Sequence, residues 1–367
     1  MKEKDKRLYS LDALRGFDMS FIMGGEVVLI SLASLFPDLK FVGEQMGHSA
    51  WDGFTFYDLI FPLFLFLAGV SFPFSNAKQL SLGKSRIEIS MRVVKRALIL
   101  IFLGILYNGL LQFDFENLRY ASVLGRIGLA WMIASLLYVW LERRLLAVLS
   151  VVILLGYWAL LALVAAPDAP AGASSLSIDG CIVGYVDRCL LPGVLHNGIH
   201  DPEGILSTLP AVVTALCGIF TGEFVRSSRV SGGYRKVGCM LLAALLLLAV
   251  GYAWDFVFPI NKNLWSSSFV CCAAGWSLSL FAFFYLVVDV MGLRSLVFPL
   301  RVIGMNSITI YLAQQFLDFK KPVGTLFGGA LKLLPADCQT LGYWCCYMLV
   351  CWVFLYFLYR TKVFLKV

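Results

Sequence analysis

Apolar runs about 20 residues long recur from one end of this chain to the other, and none of them alternates with period two; Leu241 to Ala249 reads LLAALLLLA. In a bilayer core no water solvates the backbone, so only helices and closed barrels cross it, and barrel strands need the alternation these runs lack. Composition removes the soluble alternative. Of 367 residues 60% are hydrophobic and 14% charged, with a mean hydropathy of +0.82, too little polar surface to coat a globule. The expected fold is an all-α integral membrane protein, a polytopic bundle of about ten transmembrane helices. One membrane domain is expected to cover residues 1–367, with no internal repeat.

Spans are predicted near 11–36, 55–77, 92–111, 121–141, 145–166, 204–225, 237–257, 266–290, 297–317 and 340–359. Segment 322–334 is too short to cross and is expected to be re-entrant or interfacial. With these spans, 22 of the 30 Lys and Arg residues fall on the side of the N-terminus and 8 on the other. The positive-inside rule then predicts both termini in the cytoplasm. The net charge of +7 is thereby read as a topology signal, and no nucleic-acid partner is expected. The N-terminal MKEKDKRLYSLDALRG lacks a cleavage-site pattern and is expected to be retained, not removed as a signal peptide. Most of the ten cysteines lie in spans, where a thiol packs as a small hydrophobe; Cys181 and Cys189 share a loop and would bridge on an oxidising face.

Polar residues inside or beside these spans carry the chemistry. Asp12, Arg15, Asp18 and Glu26 fall within an arc of about 120° on a straight helix, a face that must turn inward; for Asp12 and Arg15 an ion-paired knot is the competing reading. The stretch GHSAWDGFTFYDLIFPLF sets His48 near Asp52 and Asp58, with Trp51 as a wall. A carboxylate fixes an imidazole's tautomer and raises its basicity, which suits His48 to a base; an interfacial histidine bonded to headgroups fits the same residues. Asp201 and Glu203 precede a helix expected to begin at Gly204, as caps or as ligands for hydroxyl or ammonium groups. Asn306 could orient a polar partner or bond a neighbouring helix. His196 and His200 are spaced i, i+4, but Pro202 and glycines surround them and no HExxH occurs, so no metal is expected. All three histidines are predicted on the outer face, where the long polar loop 167–203 is the candidate lid or binding loop.

Taken in order, the pieces R-x-x-S-x-D-x-x-R-G (Arg7 to Gly16), H-x-x-W-x-G-x-x-x-x-D-L-x-F-P-x-F (His48 to Phe64), V-L-x-R-I (Val123 to Ile127), GYVDR (Gly184 to Arg188), DPEGILSTLPA (Asp201 to Ala211) and GMNSITIY (Gly304 to Tyr311) resemble the heparan-alpha-glucosaminide N-acetyltransferase family of transmembrane acyltransferases, bacterial relatives included. The resemblance implies an enzyme that moves an acetyl group from cytosolic acetyl-CoA to the amine of a glucosamine-type sugar on the outer, periplasmic or luminal, side. His48 matches the family's catalytic histidine and Asp58 its acidic partner ten residues on. A glucosamine amine is mostly protonated near neutrality and needs a base before it attacks a thioester.

Glu26, Trp51, Arg126, Asp201, Glu203 and Asn306 are the candidate acceptor-binding residues, and Arg15, Arg92, Lys95 and Arg96 the candidate CoA-binding cations. Two departures bear on the acceptor: Gly125 replaces the family's usual glutamine, and Glu26 stands where the human-type enzyme has asparagine. The chain is also expected to lack the extra luminal domain of the animal enzymes. Expected partners are acetyl-CoA, an amino-sugar acceptor, the lipid bilayer of a bacterial inner membrane and, as a candidate, a second copy of the chain. The competing class is a transporter of a sugar or anionic solute, since intramembrane charges also mark permeation paths.

Overall fold

The computed structural model describes residues 8–365; Arg7 of the first motif, the basic residues before it and Lys366 lie outside them. Among the described residues the chain is helical throughout. In order come α1 (Tyr9–Ser20), α2 (Glu26–Leu35), α3 (Lys40–Glu44), α4 (Phe56–Ser81), α5 (Arg86–Tyr107), α6 (Val123–Trp140), α7 (Arg143–Leu163), α8 (Ile182–Leu190), α9 (Thr208–Arg226), α10 (Gly233–Asp255), α11 (Ser267–Phe284), α12 (Phe298–Gly304), α13 (Ser307–Phe316), α14 (Lys320–Leu331) and α15 (Ala336–Arg360). Eight helical stretches are long and apolar enough to cross a bilayer: α1 with α2, α4, α6, α7, α9, α10, α11 with the turn after it, and α15.

Two of the ten expected spans differ from that set for physical reasons. Helix α5 is continuous for 22 residues, but Arg86, Glu88, Arg92, Lys95 and Arg96 crowd its first half. The span expected at 297–317 is broken at Met305 and Asn306 into two short helices. The first span is also interrupted, by a π-type turn at Phe21–Gly25 in which Gly24 takes φ +118°, a conformation open to glycine. The straight-helix phase that put Glu26 on the Asp12 face therefore does not carry across the break. Residues 322–331 of the segment expected at 322–334 lie in α14, whose 12 residues rise about 18 Å, short of a bilayer core.

The chain divides into two compact units. Among the described residues, one holds 8–49, 55–60 and 280–365; the other holds 50–54 and 61–279. In the first, α1 packs on α12 with backbones in contact: a Cβ at Gly16 would run into the Leu300 carbonyl, and one at Gly304 into the Asp12 carbonyl. This explains why the first and last sequence motifs each carry a glycine there. In the second, α4 and α9 meet along Gly69, Gly218 and Gly222, the small-residue seam that membrane helices use for close approach. On α10, by contrast, Leu241, Leu242, Leu245 and Leu246 are 45–63% exposed, a leucine face that suits lipid and would be a liability in water.

Loop 167–203 is less free than a lid would be. It contains α8, and backbone bridges join Arg119 to Gly193 and Ala165 to Cys181. Cys181 and Cys189 are both free thiols. One caps α8 and the other lies eight residues on, a rise of about 12 Å, beyond the reach of a disulfide.

Candidate active site

In the first unit, the loop between α3 and α4 carries His48, and the first turn of α4 carries Asp58. Asp58 is fully buried, and its Oδ1 accepts from His48 Nδ1 at 2.8 Å, while the imidazole side chain is 51% exposed. The other oxygen, Oδ2, accepts from the Ser49 amide (3.2 Å) and hydroxyl (3.0 Å) and from the Thr55 amide (3.2 Å) and hydroxyl (3.0 Å). The Thr55 amide to Asp58 carboxylate bond is half of a capping box, so the residue that starts the helix also aims the histidine. Gln45 secures the same helix end, accepting from the Phe56 amide through its side chain at 2.9 Å and from the Tyr57 amide through its carbonyl at 3.1 Å. With Nδ1–H donated to a carboxylate, the basic lone pair of the ring resides on Nε2.

Beside this pair lies Tyr57, whose ring centroid is 4.9 Å from that of His48. Glu26, just after the Gly24 break, lies near enough to its hydroxyl to act on it electrostatically. Phe17, Phe21 and Phe56 wall the corner with edge-to-face contacts. Deeper in α1, Asp18 is wholly buried, and neither of its oxygens has a hydrogen-bond partner among the described residues. Asn306 is buried at the break between α12 and α13, where its amide donates weakly to the Val363 carbonyl at 3.4 Å and its oxygen accepts from Thr309 at the same distance. Arg15 is half-buried on α1.

In the second unit the polar groups close on one another. Arg119 grips Asp201 with two bonds, Nε to Oδ2 at 2.8 Å and Nη2 to Oδ1 at 2.6 Å, and also pairs with Glu203. Asp201 further accepts from the amides of His196 (3.0 Å) and Glu203 (2.9 Å). Burial raises the cost of its charge, but Arg119 holds the Asp201 carboxyl below its usual range. Arg126, buried on α6, donates to the Pro202 carbonyl and to the Ser207 hydroxyl, and lies 4.5 Å over the Trp265 ring. Asp187 takes the Ile205 amide at 2.9 Å on one oxygen, while its other oxygen is buried with no hydrogen-bond partner among the described residues. Burial, seconded by Asp201, pushes the Asp187 carboxyl up to about 6, against the Ile205 amide bond it accepts.

Sequence-based expectations meet this geometry unevenly. Of the two carboxylates flanking His48, Asp58 binds it, whereas Asp52 accepts from Asn261 at 3.1 Å in the other unit. Trp51 donates its indole N–H to the Leu176 carbonyl at 3.0 Å and meets His200 edge to face at 5.2 Å. The helix expected at Gly204 begins at Thr208, because Asp201 is committed to Arg119 and to the loop amides instead of capping. His196 and His200 are not on a helix; the first is exposed and the second buried, with Nε2 3.0 Å from the Asn197 amide nitrogen. On α5, Arg92 donates to Gln79, Arg96 lies 4.6 Å over the Trp131 ring, and Lys95 is exposed. Tyr57, Ser49, Thr55, Gln45 and Arg119 were not singled out by sequence reasoning. The spacing Thr55-x-x-Asp58 was the one signal that could have found part of them.

Apolar helices of membrane-spanning length define a polytopic membrane protein, and among the described residues one imidazole, that of His48, is held by a carboxylate. The model of the catalytic domain of heparan-alpha-glucosaminide N-acetyltransferases matches residues 7–237, more than half of the chain, and the chain belongs to that family. The human heparan-alpha-glucosaminide N-acetyltransferase is 28% identical over an alignment covering 87% of this chain and 55% of the human protein. The mouse protein of the same name is 29% identical, over 74% of this chain and 49% of its own length. The chain thus spans about half the length of the curated relatives it matches.

Proposed function

We propose that this chain is a transmembrane N-acetyltransferase that moves an acetyl group from cytosolic acetyl-CoA to the amine of a glucosamine-type sugar on the opposite side of the membrane, with His48 as the base. The observation that carries this reading is the buried Asp58 carboxylate at 2.8 Å from Nδ1 of a half-exposed imidazole. That arrangement fixes the tautomer and directs the Nε2 lone pair away from the carboxylate. The family to which the chain belongs supports the reaction class.

In the proposed reaction the sugar ammonium gives one proton to His48 Nε2. The neutral amine attacks the thioester carbonyl, the tetrahedral intermediate collapses, and the carbon–sulfur bond breaks. The amine's second proton leaves with the CoA thiolate as CoA thiol, and His48 releases its own proton to solvent. A ternary complex of this kind needs one base, which Asp58 positions; no acetyl-imidazole is required. Glu26, beside Tyr57, and Asn306 are the proposed acceptor contacts. Arg15, Arg92, Lys95 and Arg96 are the proposed CoA cations. Both termini are proposed to be cytoplasmic, in an inner-membrane-type bilayer, on the charge asymmetry of the loops.

Liposomes containing the purified protein test this. Acetyl transfer from enclosed acetyl-CoA to external glucosamine, lost in His48→Ala, is the expected outcome. Uptake of labelled sugar without acetylation would instead establish the transporter. Acetyl-His48 trapped with acetyl-CoA alone would replace the ternary route by a covalent one.

A further inference from the structure

At the end of the first unit remote from His48, two arginines share one tyrosine. Tyr9 opens α1, and its ring carries the Arg294 guanidinium at 4.5 Å from the centroid and the Arg301 guanidinium at 4.3 Å. Two like charges held over one ring repel, and such a pair is stable only if something negative offsets it. Elsewhere Arg119, Arg143 and Arg188 each have a carboxylate at ion-pair distance. Among the described residues Arg294 and Arg301 have none, and the buried Arg301 Nε has no hydrogen-bond acceptor. The acidic group at the base of this corner, Asp289, accepts the Ser10 amide at 3.1 Å.

The corner is also rigid. Gly16 and Gly304 bring α1 and α12 into backbone contact one to two turns from Tyr9 and Arg301, so the ring and the α12 arginine are set by helix packing, not by loop conformation. Stacked guanidiniums present their in-plane N–H groups outward, the geometry that matches phosphate oxygens. Tyr9 and Glu26 are separated by 17 residues, about 25 Å of helix, with the Tyr57–His48–Asp58 group at the Glu26 end. CoA carries its phosphates at one end of an extended molecule and its thioester at the other, and its length is of that order.

We propose that Arg294 and Arg301, stacked on Tyr9, form a phosphate site that holds the 3′-phosphate monoester of CoA. The proposal rests on the acetyl-CoA reading above and adds two arginines to it. Both lie beyond the residues matched by the family model, on the part of the chain from α11 onward.

The test measures binding, not transfer, so that it is separable from the proposed activity. CoA and 3′-dephospho-CoA are titrated by calorimetry into the full chain in neutral-lipid nanodiscs and in nanodiscs with one-third anionic phospholipid. Wild type should prefer CoA by about 10- to 100-fold, the size of one or two charge-assisted bonds. Arg294→Gln, at an exposed position, should lose part of that preference, and the double variant Arg294→Gln/Arg301→Gln nearly all of it, with dephospho-CoA affinity unchanged. Unaltered CoA preference in the variants overturns the proposal. So does a wild-type preference that vanishes in anionic nanodiscs, which would assign the arginines to lipid headgroups. CoA binding with the expected discrimination but without any acetyl transfer would leave this site standing and sink the proposed function instead.

Discussion

Two polar corners of this molecule are built from the same residue types and reach opposite ends. Around Asp58 a buried carboxylate is saturated by Ser49 and Thr55 on one oxygen and gives the other to an imidazole that is half open. Around Asp201 a buried carboxylate is saturated as well, but its cation, Arg119, is itself closed by Glu203; of the two nearby histidines, His200 is buried and the exposed His196 reaches Asp201 through its backbone amide and not its ring. The first arrangement leaves one titratable group facing outward with its tautomer set. The second sets no imidazole on its carboxylate, and ties residues 119, 196, 201 and 203 of one unit into a clamp on the polar loop. A histidine can move a proton; a bidentate arginine cannot. Carboxylate density is therefore a poor guide to chemistry, and what each carboxylate holds is a better one.

The sharpest way to break this contrast is to delete the key cation or base from each corner. His48→Ala should lower kcat/KM for acetyl transfer by about 10² to 10⁴-fold, the usual worth of a positioned base, with the thermal midpoint in detergent unchanged. Arg119→Ala should do the reverse. Leaving Asp201 and Glu203 buried without their cation costs about 3 kcal/mol or more, visible as a lowered melting temperature and faster proteolysis of the 164–207 loop, with per-molecule kcat of the folded fraction near wild type. Equal loss of rate in both variants would mean that the clamp is part of the reaction site, and the distinction between the corners would fail.

A pH series sharpens the same contrast within the clamp. Asp187 is buried, and its carboxyl is pushed up to about 6 from a usual value near 4, so ionising it destabilises the fold. Below about pH 4 it is protonated folded and unfolded, and no penalty exists. As pH rises from about 4 to 6 the unfolded chain loses the proton first, and stability falls; above 6 the penalty is constant. Asp201 has the opposite sign: its folded carboxyl is lowered by Arg119, so its contribution is present above the usual carboxylate range and lost in acid. Asp187→Asn keeps an oxygen for the Ile205 amide, and should melt like wild type near pH 4 but gain roughly 1 to 3 kcal/mol above pH 6. A stability profile that does not change shape in this variant would remove Asp187 from the clamp's energetics.

Much of the helical scaffold was legible in the sequence because a bilayer demands long apolar runs, and those survive any detail of packing. His48 and Asp58 were legible for a related reason: ten residues apart across one loop and one helix start, they are constrained by local geometry. What could not be read is long-range or broken. Arg119 meets Asp201 across 82 residues, a partnership that no periodicity encodes. Gly24 and Asn306 interrupt runs whose hydropathy is continuous, so 11–36 and 297–317 looked like straight spans. The Gly24 break in turn hid the partner of Glu26, since a residue beyond a positive-φ turn no longer obeys the 100° rule.

That hidden partner supports the finest prediction. Tyr57 lies against the His48 ring and has Glu26 acting on its hydroxyl, so one phenol stands between Glu26 and the proposed base. Tyr57→Phe keeps the ring contact and removes the hydroxyl; a polar contact up to the strength of one hydrogen bond is worth about 0.5 to 1.5 kcal/mol, or roughly a 2- to 10-fold fall in kcat/KM. If Glu26 binds the acceptor ammonium and Tyr57 orients it, the fall should appear in KM for the sugar and not for acetyl-CoA. Glu26→Gln should reproduce it, and the double variant should fall no further than either single one, since both remove the same link. Additive losses would make Tyr57 and Glu26 independent. A fall confined to kcat, with both KM values intact, would move Tyr57 from acceptor positioning to support of His48 itself.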